Sequence, residues 1–401
     1  VAPGGFNNGV IADLAVWSRR VKRFITTVLL SIIILCLVLA AAIRIRYGGG
    51  TRFEDRTTDP LLPPSSLQVV VDLPKPPGNI AVSKTGRVFF TFHPEAHPDI
   101  KVAELVNGEV VPYPNAEFQK AKKGTPRFET PLALRIDQQD RLWALDYASH
   151  GFGQPRLLAF DLKTNAVVHQ YDFPSEVASL GSMVNDFQVD PEGRRIYIAE
   201  ASIFRKTPAL IVYDSDRETS RRLLENDPSV QAKPFITNVA GRDMVIWGIF
   251  AVRPGVDSIA LDKRGEWLYY AAVTNDHLYR VRTKDLNDPS LTSEQLAARV
   301  EVFGAKTMSD GLSMDILDNV YITDMEHSAI LLLGQDRKLK TRLKDPRLRW
   351  PDGLSFGPDG WLYVTCSALH HVIFKSQDHI RSQAPYQIFR FKPDTPGIPG
   401  H

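Results

Sequence analysis

Cysteine is nearly absent from this chain. Cys36 lies in an apolar run and Cys366 in the last of a series of repeats. Their settings argue against an intramolecular disulfide, and with no CxxC pair a cysteine-based zinc site is not expected either. An excess of charge is also missing: 48 basic and 46 acidic residues leave a formal net charge of +2, spread along the sequence. Nucleic-acid recognition needs a basic stripe, so no nucleic-acid partner is expected. There is no nucleophile elbow, phosphate loop or dinucleotide fingerprint, and those chemistries have no support. Helical periodicity is scarce. Ser293 to Val300 (SEQLAARV) is its best instance, expected as an excursion between the fourth and fifth repeats.

One long hydrophobic run is present. Phe24 to Ile43 (FITTVLLSIIILCLVLAAAI) contains 20 residues and no charge. At about 1.5 Å per residue it spans a hydrocarbon core of about 30 Å. Arg19, Arg20, Lys22 and Arg23 precede it, while Arg44, Arg46, Arg52 and Arg56 follow among Glu54, Asp55 and Asp59. The basic excess on the N-terminal side predicts a cytoplasmic N-terminus and an extracytoplasmic remainder. Ala40-Ala41-Ala42 could serve a signal peptidase, but the run exceeds the 7–15 residues of a signal core, which favours an uncleaved anchor. The expected order is a cytoplasmic tail (1–23), a transmembrane helix (24–43), a linker (44–66) and a globular part (67–401). The linker holds Gly48-Gly49-Gly50 and then Pro60, Pro63 and Pro64, flexible first and then extended.

The globular part repeats itself six times: GNIAVSKTGRVFFTF from Gly78, LALRIDQQDRLWALD from Leu132, NDFQVDPEGRRIYIAE from Asn185, DSIALDKRGEWLYYAA from Asp257, DGLSMDILDNVYITD from Asp310 and DGLSFGPDGWLYVTC from Asp352. Each is a strand, a turn and an aromatic-rich strand. Their spacing of about 50 residues is that of propeller blades. Further alternating segments, such as ALIVYDSDRETSRRLL from Ala209, complete each blade. The fold class is therefore all-β: a six-bladed β-propeller preceded by one transmembrane helix. LQVVVDL at Leu67 and YQIFRF at Tyr386 are extra strands, and pairing them in one sheet would close the ring.

Innermost propeller strands face a central channel, so one position per blade converges at a rim. Aligning the copies makes that column Gly78, Leu132, Asn185, Asp257, Asp310 and Asp352, followed by Asn79, Ala133, Asp186, Ser258, Gly311 and Gly353. Three carboxylates and an amide in a narrow channel repel and raise one another's pKa. One hard divalent cation, calcium ahead of magnesium, would resolve this with Asp257, Asp310 and Asp352 as ligands. A shared proton, ordered water or a cationic ligand would do so too. Asp-Gly at a strand start also serves as a turn, and Asp190, Asp262 and Asp315 are expected to be turn residues only. His93, His97, His150 and His327 are expected in solvated loops. His370 and His371 are adjacent on a strand, so one at most would reach a given site. Trp143, Trp267, Trp350 and Trp361 are expected to pack in the core or rim.

RLWALDYASHGFGQPRLLAFDLKTNAVVHQYDFP, NDFQVDPEGRRIYIAEAS, GVDSIALDKRGEWLYYAAVTNDHLYRVRTKDLND and WPDGLSFGPDGWLYVTCS together resemble the major royal jelly and yellow protein family, from about Leu67 to Phe374. The resemblance implies a six-bladed propeller in an extracytoplasmic setting, and in some members binding of biogenic amines in the channel. The anchor and the paucity of cysteine are more similar to bacterial members. A more distant resemblance, to the gluconolactonase and senescence-marker-protein family, implies a channel metal. On the repeat alignment Asp310 matches its metal-binding Asp and base, Asp257 replaces a metal-binding Asn, and Asn185 matches a substrate-side Asn. Gly78 stands where that family has a Glu, and Asp352 could supply the missing charge.

The expected function is binding of a small polar or cationic molecule by Asn185, Asp257, Asp310 and Asp352, from the outer side of the cytoplasmic (inner) membrane. The alternatives are a divalent-metal-dependent, lactonase-like hydrolase or isomerase with Asp310 as base, and an accessory subunit of a larger membrane complex.

Overall fold

The computed structural model describes residues 8–122 and 124–401. They form two compact units, one comprising the chain up to Gly50 with Val245–Ala251, the other Thr51–Met244 with Val252–His401.

The first unit is a long helix, Asn8–Tyr47, together with a short hairpin. Its portion Arg19–Tyr47 is long and apolar enough to cross a membrane, and its most apolar stretch is not buried within the protein. The expected tail is thus helical from Asn8; residues 1–7 lie outside the described residues.

The second unit is a six-bladed propeller of four-stranded sheets. Blade one runs through Pro77–Val82, Val88–Phe92, Val102–Val106 and Glu109–Pro112. The other inner strands are Pro131–Ile136, Val184–Val189, Val256–Leu261, Leu312–Met314 and Pro351–Phe356. Blade six is completed by Tyr386–Phe391 and, outermost, Gln68–Leu73 from the start of the propeller. Gln68 pairs with Arg390 and Leu73 with Tyr386, the closure that LQVVVDL and YQIFRF predict. It leaves no open edge between first and last blades.

Blade faces stack on one another, so both sides of an inner strand are covered. Pro77–Val82, Val184–Val189 and Val256–Leu261 are buried throughout, and their sequences lack alternation for that reason. Alternation returns at the periphery, as in Val167–Asp172, where half-buried and exposed residues succeed one another. The turn carboxylates behave as expected. Asp262 accepts from the amides of Glu266 (2.6 Å) and Trp267 (3.0 Å), and Asp315 from Leu317 (2.9 Å) and Asn319 (3.0 Å). The short helix Ser293–Ala297 lies within blade four, not between blades four and five. Glu301–Ala305 after it pairs with His277–Arg282, so the helix spans the gap between that blade's outer two strands. Residues 51–66 are docked on the propeller and end in a 3-10 turn, Pro64–Ser66: Leu61 and Leu62 donate to the carbonyls of Thr341 and Arg342.

Candidate functional site

The inner strands aim their first residues through a repeated irregularity. Pairing with the second strand slips near the strand start in blades one, two, three, four and six, between Pro77 and Ile80, Pro131 and Ala133, Val184 and Asp186, Val256 and Ser258, and Pro351 and Leu354. A bulge of this kind re-aims side chains. Two glycines let the strands approach. A Cβ on Gly311 would lie 1.8 Å from the Asp352 carbonyl oxygen, and one on Gly353 would lie 2.8 Å from Asn79 Cα. Hydroxyls of the second strands complete the rim: Thr91 donates to the Leu132 carbonyl (2.8 Å), and Thr323 accepts from the amides of Asp310 (3.1 Å) and Gly311 (2.9 Å).

Asn185, Asp257, Asp310 and Asp352 occupy this rim. Asp257 is 3% exposed and accepts a hydrogen bond from the Asn185 amide nitrogen. The Asn185 amide oxygen is buried and has no partner. Asp310 accepts from the Trp350 indole at 2.5 Å. Burial, and then the neighbouring Asp310 charge, hold the carboxyls of Asp257 and Asp352 well above the usual range. Burial pushes Asp310 up to about 6, against the Trp350 hydrogen bond that lowers it. Gly78 and Leu132, by contrast, fill space: a Cβ on Gly78 would meet Leu132 Cδ1 at 2.9 Å.

Several contributors do not stand out in the sequence. Arg135 is buried and joins three blades, pairing with Asp186 (2.8 Å) and donating to Asn79 Oδ1 (2.7 Å). A signal for it exists, because the equivalent positions in the other copies are Ala81, Gln188, Ala260, Ser313 and Ser355. Lys306 is fully buried, and desolvation lowers it to about 7. It acts on Asp257 and Asp310, but its ammonium donates to the Val273 and Thr307 carbonyls (3.1 and 2.7 Å) and Ser309 Oγ (3.0 Å). Its donors are thus satisfied within the protein. Trp350, packed as expected, also has φ +56, which aims its indole at Asp310.

The histidines differ from expectation. His93 is buried and caps the turn Pro94–Ala96 by accepting from the Glu95 amide, because Pro94 fixes the turn beside it. His97 is exposed. His370 and His371 lie in a 3-10 turn rather than on a strand, and His370 stacks on Trp350. His327 is half-buried and bonded to Asp324, and His150 is half-buried against Tyr147 and Phe204.

The opposite end of the channel is closed. Gly400 and His401 exchange backbone hydrogen bonds with Phe356 at 3.0 and 2.9 Å, and Ile136 donates to the Gly400 carbonyl at 3.1 Å. The His401 imidazole meets Gln188 Oε1 at 3.1 Å. A residual cavity of about 10 Å³ remains there, room for one water at most. Over the acidic rim, Val239 and Met244 from the long connection between blades three and four pack with Val273, Met308, Met325 and Trp350. Asn238 donates to Glu326 at 2.7 Å; burial pushes that carboxyl up to about 7.

The family described as "Major royal jelly protein" matches residues 130–360, more than half of the sequence. The chain belongs to the major royal jelly protein family. Major royal jelly protein 3 of Apis mellifera is 29% identical over 189 residues, 44% of this chain and 33% of its own length. Major royal jelly protein 7 of Apis mellifera is 28% identical over 207 residues, 49% and 43%. These matches thus span less than half of the royal jelly proteins' own length. Among solved structures, a luciferin-regenerating enzyme superposes with TM-score 0.53 at 11% identity, covering 83% of this chain and 97% of its own. A gluconolactonase from Xanthomonas campestris gives 0.50 at 11%, covering 82% and 89%. A calcium-binding regucalcin from Agrobacterium tumefaciens gives 0.50 at 14%, covering 82% and 97%. At such identities the likeness establishes the propeller fold alone.

Whether a royal jelly propeller with these residues fits a divalent cation is a question of donors and spacing. The donors fit: carboxylate oxygens and the unpaired Asn185 amide oxygen are hard ligands. The spacing does not, since among the described residues no three His, Cys, Asp or Glu side chains are grouped to hold a metal ion.

Proposed function

We propose that this royal jelly-type propeller binds a small organic cation at the acidic rim of its channel, held beside a membrane by its N-terminal helix. The carrying observation is the grouping of Asp257, Asp310 and Asp352 with the unpartnered Asn185 oxygen at the channel end opposite the C-terminal tail. An ammonium supplies what these groups lack: positive charge and several donors, without the closely spaced ligands of a metal centre. Trp350 and Arg135 serve as positioning residues for Asp310 and Asp186. The helix is proposed to cross the cytoplasmic membrane, with the propeller on the outer side, on the basis of its length and flanking arginines.

The test is calorimetric titration of the detergent-purified chain with a panel of primary and aromatic amines, and separately with calcium and magnesium. Saturable amine binding that Asp257→Asn abolishes supports the reading. A divalent cation held by Asp257, Asp310, Asp352 and the Asn185 oxygen is not expected, because among the described residues no three such side chains are spaced for a metal ion. Stoichiometric calcium uptake would overturn the organic-cation reading. Binding of neither, with a stoichiometric copurifying membrane protein, would point to an accessory subunit.

A further inference from the structure

The connection between blades three and four carries a seven-residue segment without charge, Val245-Ile246-Trp247-Gly248-Ile249-Phe250-Ala251. It forms a hairpin in which Val245 pairs with Ala251 and Ile246 with Phe250. The tip is a tight turn closed by the Ile249 amide on the Ile246 carbonyl at 3.0 Å. Its two central residues both have positive φ, Trp247 at +48 and Gly248 at +72. Such a turn favours Asn, Asp or Gly at its first central position. A tryptophan there is a strained choice, and the strain brings no burial, because Trp247 is 79% exposed. A local rule broken at an exposed position points to function.

The surroundings say which function. The hairpin is held against the C-terminal end of the apolar helix. Arg44 Nη1 donates to the Gly248 carbonyl at 2.6 Å, and the Tyr47 ring stacks on Phe250 with centroids 4.9 Å apart. A Cβ on Gly48 would lie 2.9 Å from the Ile249 carbonyl oxygen, so the two backbones nearly touch. Tyr47, Trp247 and Phe250 thus gather around one end of a helix long enough to span a bilayer, beside Arg44 and Arg46. Amphipathic aromatic rings with arginines are the composition that partitions into the headgroup layer.

We infer that the hairpin Val245–Ala251 is a second membrane contact, inserting Trp247 into the lipid headgroup layer next to the helix end. This rests on the helix crossing the membrane. The contact would fix how the helix end meets the bilayer surface, and the hairpin is continuous in the chain with Met244 and Val252, which belong to the apolar packing of the acidic rim.

The test uses the full chain in phosphatidylcholine–phosphatidylglycerol vesicles, with Cys36→Ser and Cys366→Ala. A nitroxide is attached at Trp247→Cys, or at Leu317→Cys as an exposed control. The expected result is severalfold greater collision with dissolved oxygen than with an aqueous nickel chelate at position 247, and the reverse at 317. As a check without the label, the difference in fluorescence between the unsubstituted chain and Trp247→Phe should be quenched by shallow brominated lipids. Carbonate extraction is run in parallel. A protein that resists extraction, but whose position 247 matches 317 in chelate access, overturns the hairpin contact while keeping the helix. A protein released by carbonate overturns the membrane crossing and the hairpin contact with it.

Discussion

Neutralising one rim acid should make the protein more stable and less able to bind. Asp310 is the place to do it, because Asp310→Asn keeps an acceptor for the Trp350 indole while removing the charge. Burial raises Asp310 from 3.8 to about 6. In that range the folded state holds the proton more tightly than the unfolded state. Stability from this group is therefore present at low pH and is lost as pH rises from about 4 through about 6. Each pH unit across that window is worth about 1.36 kcal/mol, so at pH 7.5 the ionised carboxylate costs about 2–3 kcal/mol. Asp310→Asn should recover that amount at pH 7.5 and only a few tenths of a kcal/mol at pH 4, where the native carboxyl is already protonated. The same change should weaken an organic cation roughly 10- to 100-fold, the scale of a charge-assisted contact worth about 1.5–3 kcal/mol. Urea unfolding of the detergent-purified chain at both pH values gives the first quantity, and calorimetry the second. A variant less stable than the parent at pH 7.5, or a stability gap equal at both pH values, would refute the idea that the rim carries unrelieved charge.

Gly311→Ala should destabilise by roughly 2 kcal/mol or more and disturb Asp352, because the added carbon would fall 1.8 Å from that residue's carbonyl oxygen; unchanged unfolding would mean that the blades do not pack as described. Trp350→Phe removes the donor to Asp310, so the Asp310 titration followed by carboxyl infrared bands should shift upward, and an unmoved midpoint would deny Trp350 its positioning role. Asp262→Ala loses two backbone amides and should cost about 1–2 kcal/mol with amine affinity intact, since Asp262 makes a turn away from the rim. Lowering pH from 7.5 to 5.5 should weaken amine binding about 4-fold as Asp310 takes up a proton, and calorimetry showing flat affinity across that range would argue against a carboxylate site.

The fold was legible because blades repeat, and repetition averages out local ambiguity. Six aligned copies place Asp257, Asp310 and Asp352 at one position, and the structure brings them to one rim. What the repeats could not show are the groups that occur once. Lys306 precedes a repeat, and nothing in its neighbours announces a buried ammonium. Arg135 sits inside a copy but reads as one polar residue on a strand until Asp186 and Asn79 are brought to it from adjacent blades. The histidines mislead because a polar loop reads as wet, whereas the long connection between blades three and four covers part of the rim, its Arg242 donating to the His370 carbonyl. The two tryptophans with positive φ separate what repetition explains from what it does not. Trp350 spends backbone strain on a hydrogen bond to a rim acid, and Trp247 spends it on exposure beside an apolar helix. Neither conformation follows from propensity, since a large side chain avoids the left-handed region. Each is retained where, as proposed, the protein meets something outside itself, a cation at the rim and a bilayer at the hairpin. Relaxing them to Asn should therefore ease the backbone at both sites, with packing lost at buried Trp350 and cation affinity weakened there alone, a separation that titration of the two variants would read directly.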